Sequence, residues 1–447
     1  MLVLRSGRLF LNCGLIVAGL LAGSFVRAHS LQCVFLFQDQ VTQTRLTDNT
    51  NSIGKIRPYE ASTTLSRQVR DNPPHYWATV KNQSFEGVLA LFKKIIGFAI
   101  GDAHAGNFVF MPFQKTMRLF VLDVKDAGQA PLLFDINRLI LNSMAILKDS
   151  TVSKKNLEKK NSTDLPDEKE VGRIILKHYL FGLKAEKDVT DYKLLNSLVK
   201  KYAVEDFLSR SADKVEGKTK VNKEGELRFR RHVEGLVRLS EVQHQRAKEA
   251  IQQVRHLYPD LMIHDVAQMQ PDRGGSVEQE RIWVLASKQV QDEKTGQVEG
   301  QKIILEFKEV AHAAADQFVK PLSEHDRQMY IEQLLWDGQD ENYTQVSLQG
   351  KAYWLRPRKI EFFSVPYRLK ESNLSDFMRI TKAIAYQIGA LHRKQLNSSL
   401  LPQLTDDYVR TLENNPVEVL SGLIAFNKSY LNKMQEDIAQ LQPRRDP

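Results

Sequence analysis

The residues best suited to chemistry lie between positions 101 and 126. The segment 101–107 (GDAHAGN) carries a carboxylate, Asp102, and an amide, Asn107, five positions apart. Phosphoryl transfer needs a carboxylate that accepts the proton of the attacking hydroxyl, and oxygen ligands that hold magnesium on the phosphates. The pattern therefore makes Asp102 a candidate catalytic base and Asn107 a candidate metal ligand.

A second carboxylate follows at a spacing that suits the same site. Residues 108–110 and 119–122 are short apolar runs that predict two strands, joined by a hairpin connection at 112–116. Asp123 comes directly after the second strand, which makes it a second candidate magnesium ligand. The alternative is a plain turn in which Asp102 and Asn107 satisfy only backbone groups.

The elements around this segment are predicted from apolar periodicity. Residues 85–99 have helical spacing and then become a continuous apolar run that leads into Asp102. We predict a helix over 134–147, strands over 281–287, 302–307 and 352–355, a helix over 327–336, and helical regions over about 171–257 and 372–445.

The composition fits an ordinary globular protein. Of the 447 residues, 42% are hydrophobic and 26% are charged, enough for two or three domain cores or one large two-lobed unit. The net charge is +9, but the basic runs are interleaved with acids. No zinc finger, RNA-binding signature or basic helix with interleaved aromatics occurs, so we expect no nucleic-acid partner.

The first 28 residues read as a secretory signal peptide. Arg5 and Arg8 precede the apolar stretch 13–23 (CGLIVAGLLAG), and Ala28 ends a small-residue cleavage site. We therefore expect an exported protein, periplasmic or secreted, with no stable membrane span after cleavage. An uncleaved N-terminal membrane anchor is the alternative. Of the two cysteines, Cys13 would leave with the signal, so no intramolecular disulfide is expected in the mature chain.

The chain is predicted to divide into five parts. They are the signal peptide (1–28), a catalytic-loop and metal-binding segment (29–149), a linker and helical region (150–262), a β-rich segment like a nucleotide-binding lobe (263–365) and a C-terminal helical region (366–447).

Three motifs carry a resemblance to a known family. Residues 101–108 (GDAHAGNF), 122–126 (LDVKD) and 134–139 (FDINRL) resemble the bacterial family catalogued as domain of unknown function 2252, which is grouped with protein-kinase-like and aminoglycoside-phosphotransferase-like folds. The resemblance implies Asp102 as catalytic base, Asn107 and Asp123 as metal ligands, and Asp135 as a structural tether between helix and loop. Lys125 departs from the pattern, because an acidic residue is usual there.

The same resemblance, looser, extends over residues 265–395. Residues 305–310 (LEFKEV) resemble the family's strand-lysine motif, which implies that Lys308 contacts phosphates. A kinase also needs a glycine-rich turn over the phosphates and a helix glutamate that holds the lysine. The candidates are Gly274, Gly275 and Ser276 for the turn and Glu332 for the partner of Lys308. This lobe would follow the catalytic loop, whereas it comes first in ordinary kinases, so the fold would be circularly permuted or otherwise rearranged.

Blander alternatives stay open for this second half. Lys308 is flanked by Glu306 and Glu309 and, taken alone, fits a solvated lysine at a strand end. The glycine pair can serve merely to shape a turn.

The sequence thus predicts an α+β, protein-kinase-like two-lobed fold with extra helices. The expected activity is ATP- and Mg²⁺-dependent phosphotransfer to an unknown hydroxyl acceptor, small molecule or protein. The alternative is a pseudokinase that binds nucleotide or a partner without transfer. A metallophosphoesterase also begins with Asp-x-His, but it needs a further histidine cluster that this sequence lacks.

Overall fold

The chain is described here from a computed structural model, over the ranges in which each residue is placed. These are 64–113, 116–152, 166–184, 217–230, 233, 235–237, 239–270, 279–291, 298–310, 313–336, 344–357, 363–364, 374–398 and 402–441. The predicted signal peptide and the predicted glycine turn at Gly274, Gly275 and Ser276 lie outside them.

Helices occupy the N-terminal and C-terminal parts of the described chain and two stretches between them. They are α1 (Leu65–Asp71), α2 (Pro73–Asn82), α3 (Gly87–Lys93), α4 (Leu132–Val152), α5 (Glu168–Lys184), α6 (Glu241–Leu257), α7 (Glu324–Tyr330, continued by a π-turn at Ile331–Leu335), α8 (Leu374–Ser398), α9 (Pro402–Asn414) and α10 (Pro416–Leu441).

The strands fall into four antiparallel sheets. They are β1 (Ile96–Ala99), β2 (Phe108–Phe113), β3 (Thr116–Val121), β4 (Gly128–Pro131), β5 (Thr219–Val221), β6 (Leu227–Phe229), β7 (Leu236–Val237), β8 (Met262–Met269), β9 (Arg281–Gln291), β10 (Val298–Glu309), β11 (Thr344–Leu348), β12 (Lys351–Pro357) and β13 (Phe363–Ser364). The largest sheet has the order β11-β12-β10-β9-β8-β7, and the others are β1-β4, β13-β2-β3 and β5-β6.

The six-stranded sheet has one apolar face and one mixed face. On β10, Leu305 and Phe307 point to a buried cluster that also contains Ala250 and Val254 of α6. The intervening residues of β10 point the other way, because successive side chains of a strand alternate between the two faces of a sheet. The apolar face is therefore covered by α6, and the opposite face is free to carry polar groups toward the rest of the molecule.

A larger helical core holds α4 at its centre. Its side chains from Leu132 to Leu147 are almost all buried, so the helix is surrounded on every side. Helices α5 and α8 cross at Gly182 and Gly389, where a Cβ on either glycine would lie 2.1 to 2.2 Å from a carbonyl oxygen of the other helix. Only glycine permits this close approach of two backbones.

The short strand β13, which follows the six-stranded sheet in the chain, pairs with the hairpin near Asp102. Phe363 and Ser364 of β13 pair with Phe110 and Val109 of β2. Residues that follow the six-stranded sheet in the chain therefore extend the β2-β3 hairpin, which follows the loop that carries Asp102. This pairing joins the β-rich segment to the segment around Asp102.

The mixed α+β class is confirmed, and so are the helix over 134–147 and the predicted strands at 108–110, 281–287, 302–307 and 352–355. The strand predicted at 119–122 is also present, but it ends at Val121. The prediction that 171–257 is helical throughout is wrong, because β5, β6 and β7 lie within it. Asn222 and Gly225 form the turn between β5 and β6, with Gly225 at φ +81°, a turn signal that the helical periodicity obscured. Among the described helices, none is long and apolar enough to cross a membrane.

Candidate active site

The loop that carries Asp102 is a tight turn between β1 and β2. Asp102 follows Gly101, and a single 3₁₀ turn at Ala105–Asn107 leads into β2. Gly101 has φ +80°, and a Cβ on it would lie 1.8 Å from the carbonyl oxygen of Asp126. Glycine is required here both by the left-handed backbone and by the contact with the second acidic segment.

Two buried side chains, Asp135 and Trp77, hold the backbone of this loop by hydrogen bonds. The Asp135 carboxylate accepts hydrogen bonds from the backbone N–H of Ile100 (2.7 Å) and of Gly101 (3.0 Å). The indole of Trp77 donates to the Gly101 carbonyl at 2.5 Å. Asp135 is itself in contact with the buried His392, whose Nε2 lies 3.2 Å from Oδ2. The tethering role inferred for Asp135 is confirmed.

Asp102 is buried and both of its carboxylate oxygens have partners. Arg138 donates to Oδ1 through Nη2 at 3.0 Å and through Nε at 3.2 Å, and His104 Nε2 lies 3.3 Å from Oδ2. Burial by itself would raise the pKa of Asp102, but His104 and Arg138 outweigh it and lower the pKa to about 2. Asp102 is therefore a carboxylate at neutral pH.

Arg138 is a site residue that the motif comparison missed. It is fully buried on α4, stacks on the Tyr76 ring at 5.1 Å, and donates to the carbonyl of Val69 at 2.7 Å. It lies three residues after Asp135 on the same helix, so both reach the loop from one helical face. The three-residue spacing between Asp135 and Arg138 is the feature of the sequence from which Arg138 could have been predicted as a site residue.

Asn107 joins the two acidic segments. Its Nδ2 donates to the carbonyl of Asp102 at 3.0 Å and to the carbonyl of Asp123 at 2.9 Å. Because both amide hydrogens face carbonyl oxygens, the side-chain oxygen Oδ1 is the atom left for a cation. Asn107 does satisfy backbone groups, as the alternative supposed, but through its nitrogen.

Lys308, on the distant six-stranded sheet, reaches Asp123 at the end of the β2-β3 hairpin. Its ammonium Nζ lies 3.0 Å from Oδ1 and 3.2 Å from Oδ2 of Asp123, which is 185 positions earlier in the chain. The lysine side chain is 4% exposed and the aspartate side chain 33% exposed, so the solvated-lysine alternative is wrong. Burial lowers the pKa of Lys308 to about 8 although Asp123 raises it. Burial acts to raise the pKa of Asp123, but Lys308 and Lys125 bring it far below its usual range.

Lys125 and Asp126 complete the acidic segment. The Lys125 ammonium lies 3.6 Å from Asp126 Oδ2, and its backbone N–H donates to Asp123 Oδ1 at 3.3 Å. Asp126 is buried, and burial raises its pKa; Lys125 acts to lower it, and the Asp102 and Asp123 carboxylates act to raise it further. Three carboxylates thus share a small region with two lysines.

Arg327 of α7 fixes the backbone of this segment. Its buried guanidinium donates to the carbonyl of Ala127 at 2.9 Å and to that of Val124 at 3.3 Å, and it also contacts the Lys125 carbonyl.

The prediction that Glu332, on the same helical stretch as Arg327, is the partner of Lys308 is wrong. Glu332 accepts from Gln328 at 2.6 Å, one helical turn away, while the ammonium of Lys308 is bonded to Asp123.

Glu306 forms a second polar centre two residues before Lys308. It is fully buried and accepts from Trp283 Nε1 at 3.0 Å and from Arg356 Nε at 2.8 Å, with Arg281 Nη1 at 3.5 Å. In the sequence, Glu306 stands out only as a charge that flanks Lys308. The alternation of β10 places Glu306 and Lys308 on one face, which is the signal that could have found it.

The residues present suit a magnesium ion that shares its ligands with a substrate. Asn107 supplies one amide oxygen, Asp123 a partly exposed carboxylate, and Asp126 has a buried Oδ2 without a hydrogen-bond partner in the described part of the chain. Within those same ranges no group of three or more His, Cys, Asp or Glu side chains could hold a metal ion alone. Magnesium is commonly bound by one or two carboxylates plus water and phosphates, so this donor set fits only with phosphate ligands added.

Comparison with known proteins gives one match. A family profile described as "uncharacterized protein conserved in bacteria (DUF2252)" matches residues 90–443. Searches of curated proteins and of solved structures give no significant match.

Proposed function

This chain belongs to the bacterial DUF2252 family, and we propose that it catalyses magnesium-dependent transfer of a phosphoryl group from ATP to a hydroxyl acceptor. The observation that carries the proposal is the contact between Lys308 and Asp123, at 3.0 Å across 185 positions of chain. A lysine on a sheet strand and a carboxylate after a hairpin are the two parts that phosphate-binding sites of protein kinases bring together.

In this proposal each residue has a role that its surroundings support. Asp123 and Asn107 bind magnesium, which neutralises charge on the phosphates when it is bound. Lys308 contacts the phosphates from the sheet, where burial strengthens its attraction for anions. Asp102 accepts the proton of the acceptor hydroxyl, which must approach Oδ2 because Arg138 covers Oδ1 with two nitrogens.

The proposal includes a kinase-like arrangement with its halves in reversed order. The sheet with Lys308 stands for the nucleotide lobe and the core around α4 for the catalytic lobe. Antiparallel pairing of β13 with β2 supports this, because it ties the end of the later half to the hairpin of the earlier one. Circular rearrangement is compatible with folding when the termini of the rearranged halves lie near each other.

A binding protein without transfer activity is the second candidate. It is favoured by the state of Asp102, whose two oxygens are engaged by Arg138 and His104 and whose pKa is about 2. A carboxylate with such a low pKa is a weak proton acceptor, because general bases work best with a pKa near the working pH.

Two measurements on the full chain test the proposal. Thermal shift with ATP, with and without Mg²⁺, reports binding, and transfer of labelled γ-phosphate to water or to a panel of hydroxyl acceptors reports chemistry. We expect Mg²⁺-dependent binding, and we expect Asp102→Ala and Asp123→Ala to abolish transfer. Asp407→Ala, at an exposed acid on α9, is the control and should transfer normally. Binding without any transfer by the unaltered protein would favour the second candidate, and absence of binding would reject both.

A further inference from the structure

Three strands bring three hydrogen-bond donors into one row. Lys308 on β10 is paired in register with Arg281 on β9 and with Trp354 on β12. Directly opposed residues of antiparallel strands point to the same face of a sheet. The three side chains therefore lie side by side on the face from which Lys308 reaches Asp123, and we call them the donor row.

Two members of the donor row each have one buried nitrogen that lacks an acceptor in the described part of the chain, although Arg281 Nη1 donates to Glu306 Oε1 at 3.5 Å. Within the described ranges, Arg281 Nε and Trp354 Nε1 are buried nitrogens without a hydrogen-bond partner. Trp354 is only 5% exposed, so water cannot freely reach its indole N–H and act as the acceptor. Burying an N–H group without an acceptor is unfavourable, and an incoming oxygen atom would remove that cost by accepting its hydrogen bond.

The neighbouring row contains the same donor types in a satisfied state. There, Trp283 and Arg356 flank Glu306, and its carboxylate accepts from the indole at 3.0 Å and from the guanidinium at 2.8 Å. In the donor row the central residue is a lysine in place of the glutamate. The acceptor that would satisfy the indole and the guanidinium must then come from outside the row.

We propose that the donor row of Arg281, Lys308 and Trp354 binds the oxygens of an oligophosphate chain. Neighbouring strands are about 4.8 Å apart, so the outer positions of the row are separated by roughly 10 Å. This length exceeds one phosphate group and suits two or three in succession. This proposal deepens the proposed function. Binding of an oligophosphate does not depend on that function; only the identification of the oligophosphate as the phosphoryl donor rests on it.

Calorimetric titration of the full chain with inorganic tripolyphosphate, in magnesium-free buffer, tests the donor row directly. Trp354→Phe removes the indole N–H and keeps an aromatic ring, and Arg281→Met removes the guanidinium and keeps its aliphatic part. We expect each to weaken tripolyphosphate binding about tenfold, the loss typical of one hydrogen bond to a charged group. Adenosine should not compete for this site, whereas ADP should.

Two matched controls separate a local effect from a general one. Trp336→Phe is the same exchange at an indole that already donates to the Val121 carbonyl at 3.0 Å. Arg246→Met removes a cation of α6 that pairs with Glu280 at 2.5 Å. Both should leave tripolyphosphate affinity within about twofold. Thermal denaturation of every variant establishes that it is folded.

The outcomes of this experiment and of the transfer assay are distinguishable. If Arg281→Met and Trp354→Phe are folded and bind tripolyphosphate like the unaltered protein, the donor row is not the site, whatever the transfer assay gives. If both variants lose affinity while the unaltered protein transfers no phosphate, the donor row stands and the proposed function fails. If the unaltered protein does not bind tripolyphosphate, the donor row is rejected.

Discussion

The ammonium of Lys308 lies within 3.2 Å of both carboxylate oxygens of Asp123, so each group occupies the place where the other would bind a ligand. In the proposed function, magnesium at Asp123 and phosphate at Lys308 would each compete with this ion pair. We therefore expect nucleotide and metal to displace the pair together.

Replacing Lys308 with methionine should change metal and phosphate binding in opposite directions. Removal of a buried cation beside Asp123 should strengthen Mn²⁺ binding in the absence of nucleotide by about tenfold, since like charges a few ångströms apart repel by more than 1 kcal/mol. Binding of ADP should weaken by a similar factor. Electron paramagnetic resonance of Mn²⁺ and calorimetry with ADP measure the two affinities.

The control for this change is Lys351→Met, which breaks an exposed pair with Glu309 (2.8 Å) on the same sheet. It should leave both affinities unchanged, because exposed pairs contribute little. If Lys308→Met weakened Mn²⁺ and ADP binding together, its role would be to maintain the structure of the site.

The free energy of unfolding of the metal-free protein should depend on pH, because Lys308 has different pKa values in the folded and unfolded states. Its pKa is about 8 in the folded state and 10.5 ordinarily, so the unfolded chain binds the proton more tightly between these values. Stability should therefore rise with pH from about 8 to about 10.5, by about 3 kcal/mol for this group alone. Urea unfolding in EDTA at several pH values measures it. The difference between the unaltered protein and Lys308→Met isolates the group, and parallel curves for the two would contradict the prediction.

How far the sequence predicts this site depends on the range of the interaction. Asp102, Asn107 and Asp123 lie within one hairpin and its flanking turn, so short-range patterns suffice to bring them together. Lys308 was recognised from a loose motif, and its partner was predicted to be Glu332 because kinases pair the strand lysine with a helix glutamate. The structure pairs it with Asp123, a long-range contact that depends on how the sheet packs against the hairpin.

Buried polar partners were the least predictable part. Arg138, Arg327 and Glu306 read as ordinary charges in the sequence, and each is almost fully buried against groups far away in the chain. Charged residues are seldom buried without a partner, so their burial follows only once that partner is positioned. The hairpin at Asn222 was missed for a local reason, since a turn signal was overruled by helical periodicity.

Substitution of Gly101 by alanine should destabilise the protein far more than the same change at Gly225. Both glycines have φ near +80°, but a Cβ on Gly225 meets nothing within 4 Å, whereas on Gly101 it lies 1.8 Å from the Asp126 carbonyl oxygen. Left-handed strain costs about 1–2 kcal/mol at both sites. Forced displacement of a packed neighbour adds roughly 1–3 kcal/mol at Gly101.

Urea unfolding of Gly101→Ala and Gly225→Ala measures this difference. Because Gly101 rests on the segment that carries Asp123, its variant should also lose Mg²⁺-dependent ADP affinity, and Gly225→Ala should retain it. Equal stability of the two variants would mean that the Asp126 backbone yields without cost.

The contact between Asp102 and Arg138 allows catalysis and structure to be separated. Asp102→Asn should lower phosphate transfer by ~10²–10⁴-fold, the usual contribution of a general base. It should also cost about 3–5 kcal/mol of stability, because it leaves the buried Arg138 guanidinium without its counter-charge. Adding Arg138→Met removes that unpaired charge, so the double variant should regain part of the stability measured by urea unfolding. Transfer should remain as low as in Asp102→Asn, since no carboxylate is restored at position 102. Recovery of transfer together with stability would mean that Asp102 serves only to neutralise Arg138, and the base would have to be sought elsewhere in the site.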